Sequence, residues 1–523
     1  MYTKQSTEVQ RHFARKLLLI VALLVTGCTS VNYDYPREPS TYIPFAEGAA
    51  LDREVAPLTL GKPEGYSGFY PLIDGIDAIA YRLRVAEQAE RSIDVQYYLI
   101  KRDQIGQAFL LSLLLAADKG VRVRLMLDDM FNKGFDKDMM ALDSHPNFEI
   151  RVYNPFNRGA LGSTVGAAFE FRRINRRMHN KSFTVDGRLT IIGGRNIADE
   201  YFGVREDSAF GDLDVLCLGP IVEDVSRMFD LYWQHPTAVP LGGFIKPLQD
   251  PQAALDDFRQ RLQASDDALI KTRYADAVIN RAYRDVEEDI DDIRWSPYKL
   301  IYDTPDKGIK NKADESEMII TPLIESLSTV ENELMILSPY FVPRKELTQG
   351  LIEAKNSGVD VSVITNSLAA NNQKTVHGGY APARKPLLEA GVKLYEVRPD
   401  AQVAGTEYVD SSSARSTLHT KAYVLDRREV FIGSFNFDPR SAFINTEMGV
   451  LIDDPVLGAE FMGMLESAMP NAVWEVTLTD KNKLEWTSTD KDKTTIYTKE
   501  PMTSWWDRFK AGVYRVLPIR SQL

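Results

Sequence analysis

One pattern of residues occurs twice in this 523-residue chain, and it constrains the fold more than any other feature. The first copy reads HNKSFTVDGRLTIIGGRN, starting at His179, and the second reads HTKAYVLDRREVFIGSFN, starting at His419. Histidine, lysine, aspartate, glycine and asparagine recur at the same offsets in both copies. Because the chain has only six histidines, this agreement predicts a duplicated structural unit.

The segments before each motif repeat in the same order. Each half has an apolar strand, then a helix end with a glycine stop and a second strand, then a third strand. The paired segments are 92–100 with 334–343, 115–128 with 352–365, and 149–155 with 392–399. We therefore expect an α/β fold of two duplicated halves, each a mixed β-sheet flanked by helices. A pseudo-twofold axis is expected to relate the halves, with the active site between them.

The remaining segments complete the expected domain organisation. The chain divides into a leader over 1–27, a linker over 28–75, a first half over 76–249, a polar helical insert over 250–315, a second half over 316–470 and a tail over 471–523. The insert's acidic run, 285–292, is interpreted as a solvated helix face rather than a cation site. The tail contains WWDRFKAGVYRVLPIR, which fits either a helix packed on the body or an interfacial helix facing anionic lipid.

The leader has the pattern of a secretory signal peptide: a basic start, the apolar run LLLIVALLV and small residues ending at Cys28. The apolar run is about half the roughly 20 residues that a membrane-spanning helix needs. The residues before Cys28 resemble the lipobox of bacterial lipoproteins, which implies lipidation at Cys28; a plain uncleaved anchor is the alternative. The second cysteine, Cys217, lies in the apolar run DVLCLGP and is expected to be a buried strand residue.

The spacing within each motif indicates where its side chains point. Residues two apart on a strand face the same side. His179 with Lys181, and His419 with Lys421, are therefore expected to enter one pocket together.

The later motif positions are interpreted differently. Asp186 is followed by glycine between two apolar runs, which is a hairpin pattern several strand residues away from the histidine, so Asp186 and Asp426 are interpreted as structural. Small residues at the end of the return strand let the backbone come close to a ligand, and the asparagines beyond them can donate hydrogen bonds there. The small residues are Gly193, Gly194, Gly433 and Ser434, and the asparagines are Asn196 and Asn436.

Two imidazoles, two ammonium groups and two amides suit the chemistry of a phosphodiester. In-line displacement at phosphorus needs a nucleophile on one side and an acid opposite it for the departing oxygen. Lysines and asparagines would stabilise charge on the equatorial oxygens, a task that metal ions perform in other enzymes. We therefore expect neither a metal nor a cofactor.

These residues resemble the phospholipase D superfamily, whose signature is two such motifs. SPYFVP, TNSLAANNQKTVHGGYAPARKPLLEAG and the tail are similar to the C-type bacterial cardiolipin synthases. The superfamily resemblance covers about residues 76–470 and implies a covalent phosphohistidine intermediate. One histidine attacks the lipid phosphorus, and the other protonates the leaving alcohol and then activates the acceptor. By analogy we expect His179 as the nucleophile and His419 as the acid and base.

The resemblance also implies an acidic residue beyond each motif that orients an imidazole. In NTEMGVLI the match is Glu447, and aligning FGDLDVLCL with it gives Asp212. Asp214 is the alternative, because the first copy has a longer loop. Gly194 departs from the more common serine that Ser434 preserves, so one hydroxyl donor is expected to be missing there.

Other basic residues carry weaker signals. A basic run before the first motif fits either a bidentate clamp on an anionic headgroup or a solvated cluster. It comprises Arg172, Arg173, Arg176 and Arg177. His377 fits either the substrate pocket or a structural role, whereas His145 and His235 each precede a proline and are expected in loops.

The resemblance implies a membrane-tethered phosphatidyltransferase that acts on phosphatidylglycerol, with phosphatidylethanolamine as a further donor, and forms cardiolipin. Hydrolysis to phosphatidic acid is the nearest alternative, since it uses the same residues and differs in the hydroxyl that reaches the intermediate. A non-catalytic phospholipid-binding envelope lipoprotein is the alternative from another class, and the two intact motifs argue against it. The net charge of −12 disfavours a nucleic-acid partner.

The location and assembly state stay open. A lipidated Cys28 predicts a periplasmic-side tether in the bacterial cell envelope. The residue after Cys28 is Thr29 and not the aspartate that commonly retains lipoproteins in the inner membrane, which leaves the outer membrane open. The cardiolipin synthase resemblance favours the inner membrane instead. Both motif copies lie in one chain, so a monomer would suffice for the site.

Overall fold

The computed structural model describes residues 31–131, 134–158, 173–205, 208–282, 292–309, 318–401, 415–490 and 493–516. Within these residues the strands form a nine-stranded sheet, a ten-stranded sheet and a two-stranded sheet. The predicted leader with Cys28, most of the acidic run and Arg172 lie outside the described residues.

The first sheet contains the strands of the first half. In chain order the strands are β1 (Ser67–Leu72), β2 (Ser92–Tyr97), β3 (Arg122–Asp128), β4 (Phe148–Tyr153), β5 (Ser182–Val185), β6 (Leu189–Gly193), β7 (Ser208–Gly211), β8 (Asp214–Leu218), β9 (Ala238–Pro240) and β10 (Arg294–Ser296). All except β7 join one sheet in the order β10-β1-β8-β6-β5-β2-β3-β4-β9. The helices are α1 (Ala50–Thr59), α2 (Gly75–Gln88), α3 (Gln104–Asp118), α4 (Asp136–Asp143), α5 (Ile221–Trp233), α6 (Pro251–Leu269) and α7 (Arg273–Ala282).

The second sheet contains the strands of the second half. They are β11 (Tyr298–Tyr302), β12 (Glu333–Leu337), β13 (Asp360–Asn366), β14 (Lys393–Val397), β15 (Arg415–Leu418), β16 (Ala422–Leu425), β17 (Glu429–Gly433), β18 (Met448–Asp453), β19 (Val473–Leu478), β20 (Leu484–Asp490) and β21 (Lys493–Tyr497). The sheet order is β11-β18-β17-β16-β12-β13-β14-β19-β20-β21, and β15 pairs with β7 instead. The helices are α8 (Ile320–Leu327), α9 (Lys345–Asn356), α10 (Lys374–Tyr380), α11 (Arg384–Glu389), α12 (Pro439–Phe443), α13 (Pro455–Ala472) and α14 (Trp505–Val516).

The two sheets repeat one topology, which confirms the expected duplication. The order β8-β6-β5-β2-β3-β4-β9 in the first sheet corresponds to β18-β17-β16-β12-β13-β14-β19 in the second. In both, the three central strands are parallel and their other neighbours are antiparallel. The expected glycine stops are Gly120 (φ +94°) and Gly358 (φ +107°), which occupy the left-handed conformation that ends α3 and α9.

Two helices, α5 and α13, contribute to an apolar cluster that both sheets share. Val225 and Phe229 of α5 and Phe461 of α13 belong to this cluster. Complete burial of such a side chain contributes roughly 1.5–3 kcal/mol, so the cluster holds the halves together. The remaining large helices cover the outer face of each sheet, with separate cores in each half.

The expected linker over 28–75 differs from the structure. Residues 67–72 form β1, which lies inside the first sheet between β8 and β10, and α1 packs its buried Leu51, Val55 and Leu58 on the first core. The preceding segment follows the first half, where the backbone oxygen of Ser40 accepts a hydrogen bond from Arg124. This segment is therefore part of the first half, because its apolar and hydrogen-bonding groups are satisfied there.

The expected insert and tail are also integrated into the halves. α6 and α7 are helical as expected, but Phe258 and Leu262 are buried in the first core. β10 and β11 flank Pro297, and one joins each sheet. In the tail, β19–β21 extend the second sheet. Within the described residues, no helix has both the length and the apolar character that crossing a bilayer demands.

Candidate active site

Each motif places its aspartate at the turn of a hairpin, away from the histidine. The carboxylate of Asp186 accepts hydrogen bonds from three successive backbone N–H groups, residues 90–92, at 2.8–2.9 Å. Asp426 does the same with residues 331–333 at 2.7–3.0 Å. Both contacts hold the hairpin turn at the start of the first parallel strand of the same half, β2 or β12.

The backbone around each histidine pairs with the other half of the chain. The amide of His179 donates to the carbonyl of Thr446 at 2.8 Å, and the amide of His419 donates to the carbonyl of Gly211 at 2.7 Å. The second contact continues the parallel pairing of β15 with β7. Each histidine is thereby placed beside the segment that carries the acidic residue of the opposite half.

Each imidazole pairs with a carboxylate of the opposite half. Nδ1 of His179 lies 2.8 Å from Oε2 of Glu447, and Nδ1 of His419 lies 2.6 Å from Oδ2 of Asp212. All four side chains are buried. An Nδ1–H that donates to a carboxylate leaves the Nε2 lone pair available for a substrate.

The strand register selects Asp212 over Asp214 as the counterpart of Glu447. Gly193 pairs with Asp214 in the first sheet, and Gly433 pairs with Gly449 in the second. Counting back two residues aligns Asp212 with Glu447. Asp214 instead binds the Arg82 guanidinium at 2.8 Å.

The same alignment explains why glycine occupies position 194. A Cβ atom there would lie 2.2 Å from Oδ1 of Asp212, so the carboxylate occupies the space of a side chain. In the second half, the hydroxyl of Ser434 donates to Oε2 of Glu447 at 2.5 Å. Asp212 instead accepts from the backbone N–H of Leu213 at 2.9 Å. The first half thus lacks the hydroxyl donor, as expected at Gly194. Its acid is the shorter aspartate, and a backbone N–H donates to this carboxylate instead.

The two lysines lie close to the histidines of their own motifs. Nζ of Lys181 donates to the carbonyl oxygen of His179 at 2.6 Å. Nζ of Lys421 lies 2.8 Å from Nδ1 and 3.3 Å from Nε2 of His419. All four side chains are buried, so the charge of each lysine acts strongly on the imidazoles.

Burial and neighbouring charge control the ionisation of these groups. Burial, together with the charges of both lysines and against the opposing effect of the paired carboxylates, lowers the pKa of His179 to about 4 and that of His419 to about 3. Burial also lowers the pKa of Lys181 to about 7 and that of Lys421 to about 8. Because each lysine acts on both imidazoles, the two motifs form one electrostatic site. Both imidazoles are neutral at pH 7.

The two asparagines lie beside these groups. Nδ2 of Asn196 donates to the hydroxyl of Tyr201 at 2.9 Å, and the Tyr201 ring lies 5.0 Å from that of His419. Nδ2 of Asn436 makes a long contact, 3.5 Å, with the Ser441 hydroxyl. The carbonyl oxygens of both amides are buried without a hydrogen-bond partner in the described part of the chain.

Aromatic rings around the imidazoles were not predicted from the sequence. The ring of Tyr98 lies 4.9 Å from that of His179. Phe210 stacks on His419 at 5.5 Å, and Tyr340 approaches it at 6.2 Å. Tyr98 and Tyr340 follow the ends of β2 and β12, where side chains of a parallel sheet commonly face a ligand. Their position after these strands was the sequence signal that could have identified the two tyrosines as site residues.

The other residues considered from the sequence have structural contacts. Arg177 is buried against Asp128, 3.3 Å away, so it is neither solvated nor a free headgroup clamp. Arg173 and Arg176 bind backbone oxygens of Pro155 and Lys307. His377 is buried 3.3 Å from Glu500.

The expected loop positions of His145 and His235 and the expected burial of Cys217 can be compared with the structure. His145 follows α4 and lies 3.3 Å from Asp118, and His235 follows α5 and contacts Asp306 at 3.2 Å. Cys217 is buried in β8. Among the described residues, no group of three or more His, Cys, Asp or Glu side chains has the arrangement to hold a metal ion.

Comparisons with known proteins place this geometry in a family. The family described as "Cardiolipin synthase, PLD-like domain" matches residues 83–233 and 323–469. Cardiolipin synthase C of Escherichia coli is 39% identical over 480 residues, which cover 90% of this chain and 98% of that protein. The minor cardiolipin synthase ClsB of Bacillus subtilis is 23% identical, over 76% of this chain and 79% of that protein.

A solved structure shows the same fold. The crystal structure of phosphatidylserine synthase from Haemophilus influenzae matches with a TM-score of 0.56 and 14% identity, covering 90% of this chain and 100% of that one. At this identity the likeness concerns the fold alone. The family match covers both halves, and the E. coli relative aligns over nearly its whole length. The chain therefore belongs to the cardiolipin synthase family of phospholipase D-like proteins.

Proposed function

We propose that the chain is a phosphatidyltransferase that forms cardiolipin by transferring a phosphatidyl group to phosphatidylglycerol. The observation that carries the proposal is the exchange of partners between the halves, His179 with Glu447 and His419 with Asp212. Two oriented imidazoles and two lysines in one site can attack and protonate a single phosphodiester from opposite sides. The relatedness to cardiolipin synthase C of E. coli supports this choice of substrates.

In the first step, Nε2 of His179 attacks the phosphorus of the donor lipid. Glu447 holds Nδ1–H and stabilises the positive charge that develops on the ring. His419 takes up a proton from solvent on Nε2 when the anionic lipid binds; as the bond from phosphorus to the headgroup oxygen breaks, His419 transfers this proton to that oxygen. The negative phosphodiester offsets the charges of Lys181 and Lys421, which raises the pKa of His419 toward the value that an acid needs.

In the second step, the neutral His419 accepts the proton of an acceptor hydroxyl. The acceptor oxygen forms a bond to phosphorus as the bond between phosphorus and His179 breaks. With phosphatidylglycerol as acceptor the product is cardiolipin, and with water it is phosphatidic acid. The donor is phosphatidylglycerol or phosphatidylethanolamine, which release glycerol or ethanolamine. Lys181 and Lys421 stabilise charge on the phosphoryl oxygens in both steps.

The test is product analysis on purified protein in mixed micelles with labelled phosphatidylglycerol, with and without phosphatidylethanolamine. We expect labelled cardiolipin, and a loss of at least about a thousandfold in rate for His179→Ala and His419→Ala. In a single turnover by His419→Ala with lipid labelled at phosphorus, label is expected on the protein in base-quenched samples and not in acid-quenched ones if His179 is the nucleophile, because the P–N bond of a phosphohistidine is stable in base and hydrolysed in acid. Phosphatidic acid as the sole product would replace transfer by hydrolysis. Binding of lipid without any turnover would support the non-catalytic lipoprotein instead.

We also propose that the mature chain is tethered to the cell envelope through a lipidated Cys28. The support is the leader, with its basic start, its short apolar run and its lipobox-like end. Metabolic labelling with an alkyne fatty acid tests the tether, and Cys28→Ser is expected to lose the label. Separation of inner and outer membranes by density then assigns the compartment. Label retained by Cys28→Ser would contradict the proposal.

A further inference from the structure

The C-terminal helix α14 presents an aromatic face to solvent. We define this face by Trp505, Trp506, Phe509 and Val513, which are 61%, 60%, 50% and 40% exposed. The rings of Trp505 and Phe509 stack at 5.3 Å, and Trp506 contacts both. At about 100° per residue these positions share one side of the helix. Large contiguous exposed apolar surfaces mark interaction sites.

The opposite side of α14 is fixed to the protein. Asp507 forms an ion pair with Lys374 at the start of α10, and Tyr514 packs closely against Gly378 of the same helix. Beneath this contact, Glu500 is bound by the Arg384 guanidinium at 2.7 Å. The aromatic face is therefore the outer side of a docked helix, with its inner side already occupied.

Positive charge borders the aromatic face. Lys510 and Arg515 are exposed on opposite sides of it, and the half-buried Arg508 donates to the backbone oxygen of Thr503 at 2.7 Å. The whole chain carries a net charge of −12, so these basic residues differ in charge from the protein as a whole. Tryptophans with basic flanks suit the headgroup level of an anionic bilayer, where indole rings lie at the boundary between lipid and water.

The position of α14 relates this surface to the catalytic site. The hydroxyl of Tyr340 contacts Oδ1 of Asn372 at 3.1 Å, and the Tyr340 ring lies 6.2 Å from that of His419. Asn372 is two residues before Lys374, the residue that binds α14. A short, ordered path therefore connects the His419 side of the site to the helix.

We propose that the aromatic face of α14 docks on an anionic phospholipid bilayer and holds the catalytic site beside the lipid headgroups. The inference rests on the proposed function, because a bilayer is the occupant whose lipids the site would consume. Insertion of the indole and phenyl rings supplies apolar burial, and Lys510 and Arg515 supply attraction to anionic headgroups. Attachment through a lipid at Cys28 alone would leave the orientation of the protein free, and docking of α14 fixes this orientation.

The test compares two forms of the same substrate. The full chain and the triple variant Trp505→Ser, Trp506→Ser, Phe509→Ser are assayed on vesicles of phosphatidylcholine with phosphatidylglycerol, and on short-chain phosphatidylglycerol below its micelle concentration. We expect the triple variant to lose at least about tenfold in turnover on vesicles, since three aromatic side chains no longer insert. Its turnover of the monomeric lipid should stay within about twofold, because the rings contact no catalytic residue.

A matched control removes exposed apolar groups elsewhere. The variant Leu60→Ser, Ile270→Ser, Ile324→Ser changes three side chains that are 83%, 51% and 58% exposed and lie outside α14. It should keep turnover on both substrates. Equal vesicle turnover by the parent chain and the α14 variant would overturn the proposal, as would an α14-dependent dimer in sedimentation, which would make this face a subunit interface.

A second measurement keeps docking separable from catalysis. Vesicles with brominated acyl chains quench tryptophans that reach the bilayer, so we compare the parent with Trp505→Phe, Trp506→Phe. We expect quenching in the parent chain and its loss in this variant. If neither the parent chain nor the variants turned over any lipid, the proposed function would be wrong. The quenching measurement would still show whether α14 docks on the bilayer. Unquenched parent fluorescence would overturn docking irrespective of activity.

Discussion

Replacing Gly194 by serine tests how the first half holds its imidazole. The change reproduces the residue of the second motif, yet its Cβ would lie 2.2 Å from Oδ1 and 2.9 Å from Cγ of Asp212. To reach an ordinary van der Waals distance the carboxylate has to move by about 1 Å. The contact between Asp212 and Nδ1 of His419, now 2.6 Å, is then broken or misaligned.

A misplacement of this size has a calculable effect on rate. A shift of about 1 Å in a catalytic group costs roughly a hundredfold, which corresponds to about 2.7 kcal/mol of transition-state free energy. We therefore expect kcat/KM for cardiolipin formation to fall about a hundredfold in Gly194→Ser. Overpacking should also lower the free energy of unfolding by about 1–3 kcal/mol, which thermal or urea unfolding measures separately.

A compensating variant makes the prediction specific. Combining Gly194→Ser with Asp212→Glu copies the Ser434–Glu447 pair, in which the hydroxyl donates to the longer acid. We expect the double variant to recover at least about tenfold in kcat/KM over Gly194→Ser. Gly350→Ser is the control, because a Cβ there meets no atom within 4 Å. Activity of Gly194→Ser within about twofold of the parent would refute the reasoning, as would equal losses in the single and double variants.

Three further predictions concern stability and pH. Asp186→Ala removes the acceptor of three backbone N–H groups and should lower the urea-unfolding free energy by about 2–4 kcal/mol; a change below about 0.5 kcal/mol would contradict this role. Because burial lowers the pKa of Lys181 to about 7 and that of Lys421 to about 8, both lose their charge as pH rises through that window. The pH profile of kcat/KM should therefore fall there, and a profile flat to about pH 9 would be inconsistent with it. Asp303→Ala leaves the ammonium of Lys307, now paired at 2.8 Å, buried without its carboxylate and should cost about 3–5 kcal/mol, whereas Asp303→Leu with Lys307→Met should restore more than half of the loss. Equal stabilities of these two variants would contradict the ion-pair explanation.

Local sequence patterns predicted the repeated parts of the fold. Apolar runs, glycine stops and the two motifs identified the central strands, since those features depend on neighbouring residues. The short peripheral strands were missed for a different reason. β10 and β11 flank Pro297 but pair with different sheets, and the choice of sheet depends on partners distant in the chain. A similar dependence made 67–72 look like part of a linker, although it is the strand β1.

The site was predictable in its residue types and less so in its connections. The resemblance to the phospholipase D superfamily implied Glu447 and, by alignment of the halves, Asp212 with Asp214 as the alternative. The pairing of each acid with the histidine of the opposite half depends on the backbone contacts of His179 with Thr446 and of His419 with Gly211. Such pairings join residues more than 200 positions apart and leave no local signal. The same limit applied to Arg177, whose charge looked available until burial against Asp128 accounted for it.

The exchanged carboxylates have a consequence for the timing of biosynthesis. An emerging polypeptide that already contains the complete first motif still lacks Glu447, which is made after the second motif. Its His179 has no group to fix the ring, and His419 has yet to be synthesised. Transfer of a phosphatidyl group therefore requires that both halves have been synthesised and have docked, and a chain that stops before Glu447 is expected to be inactive.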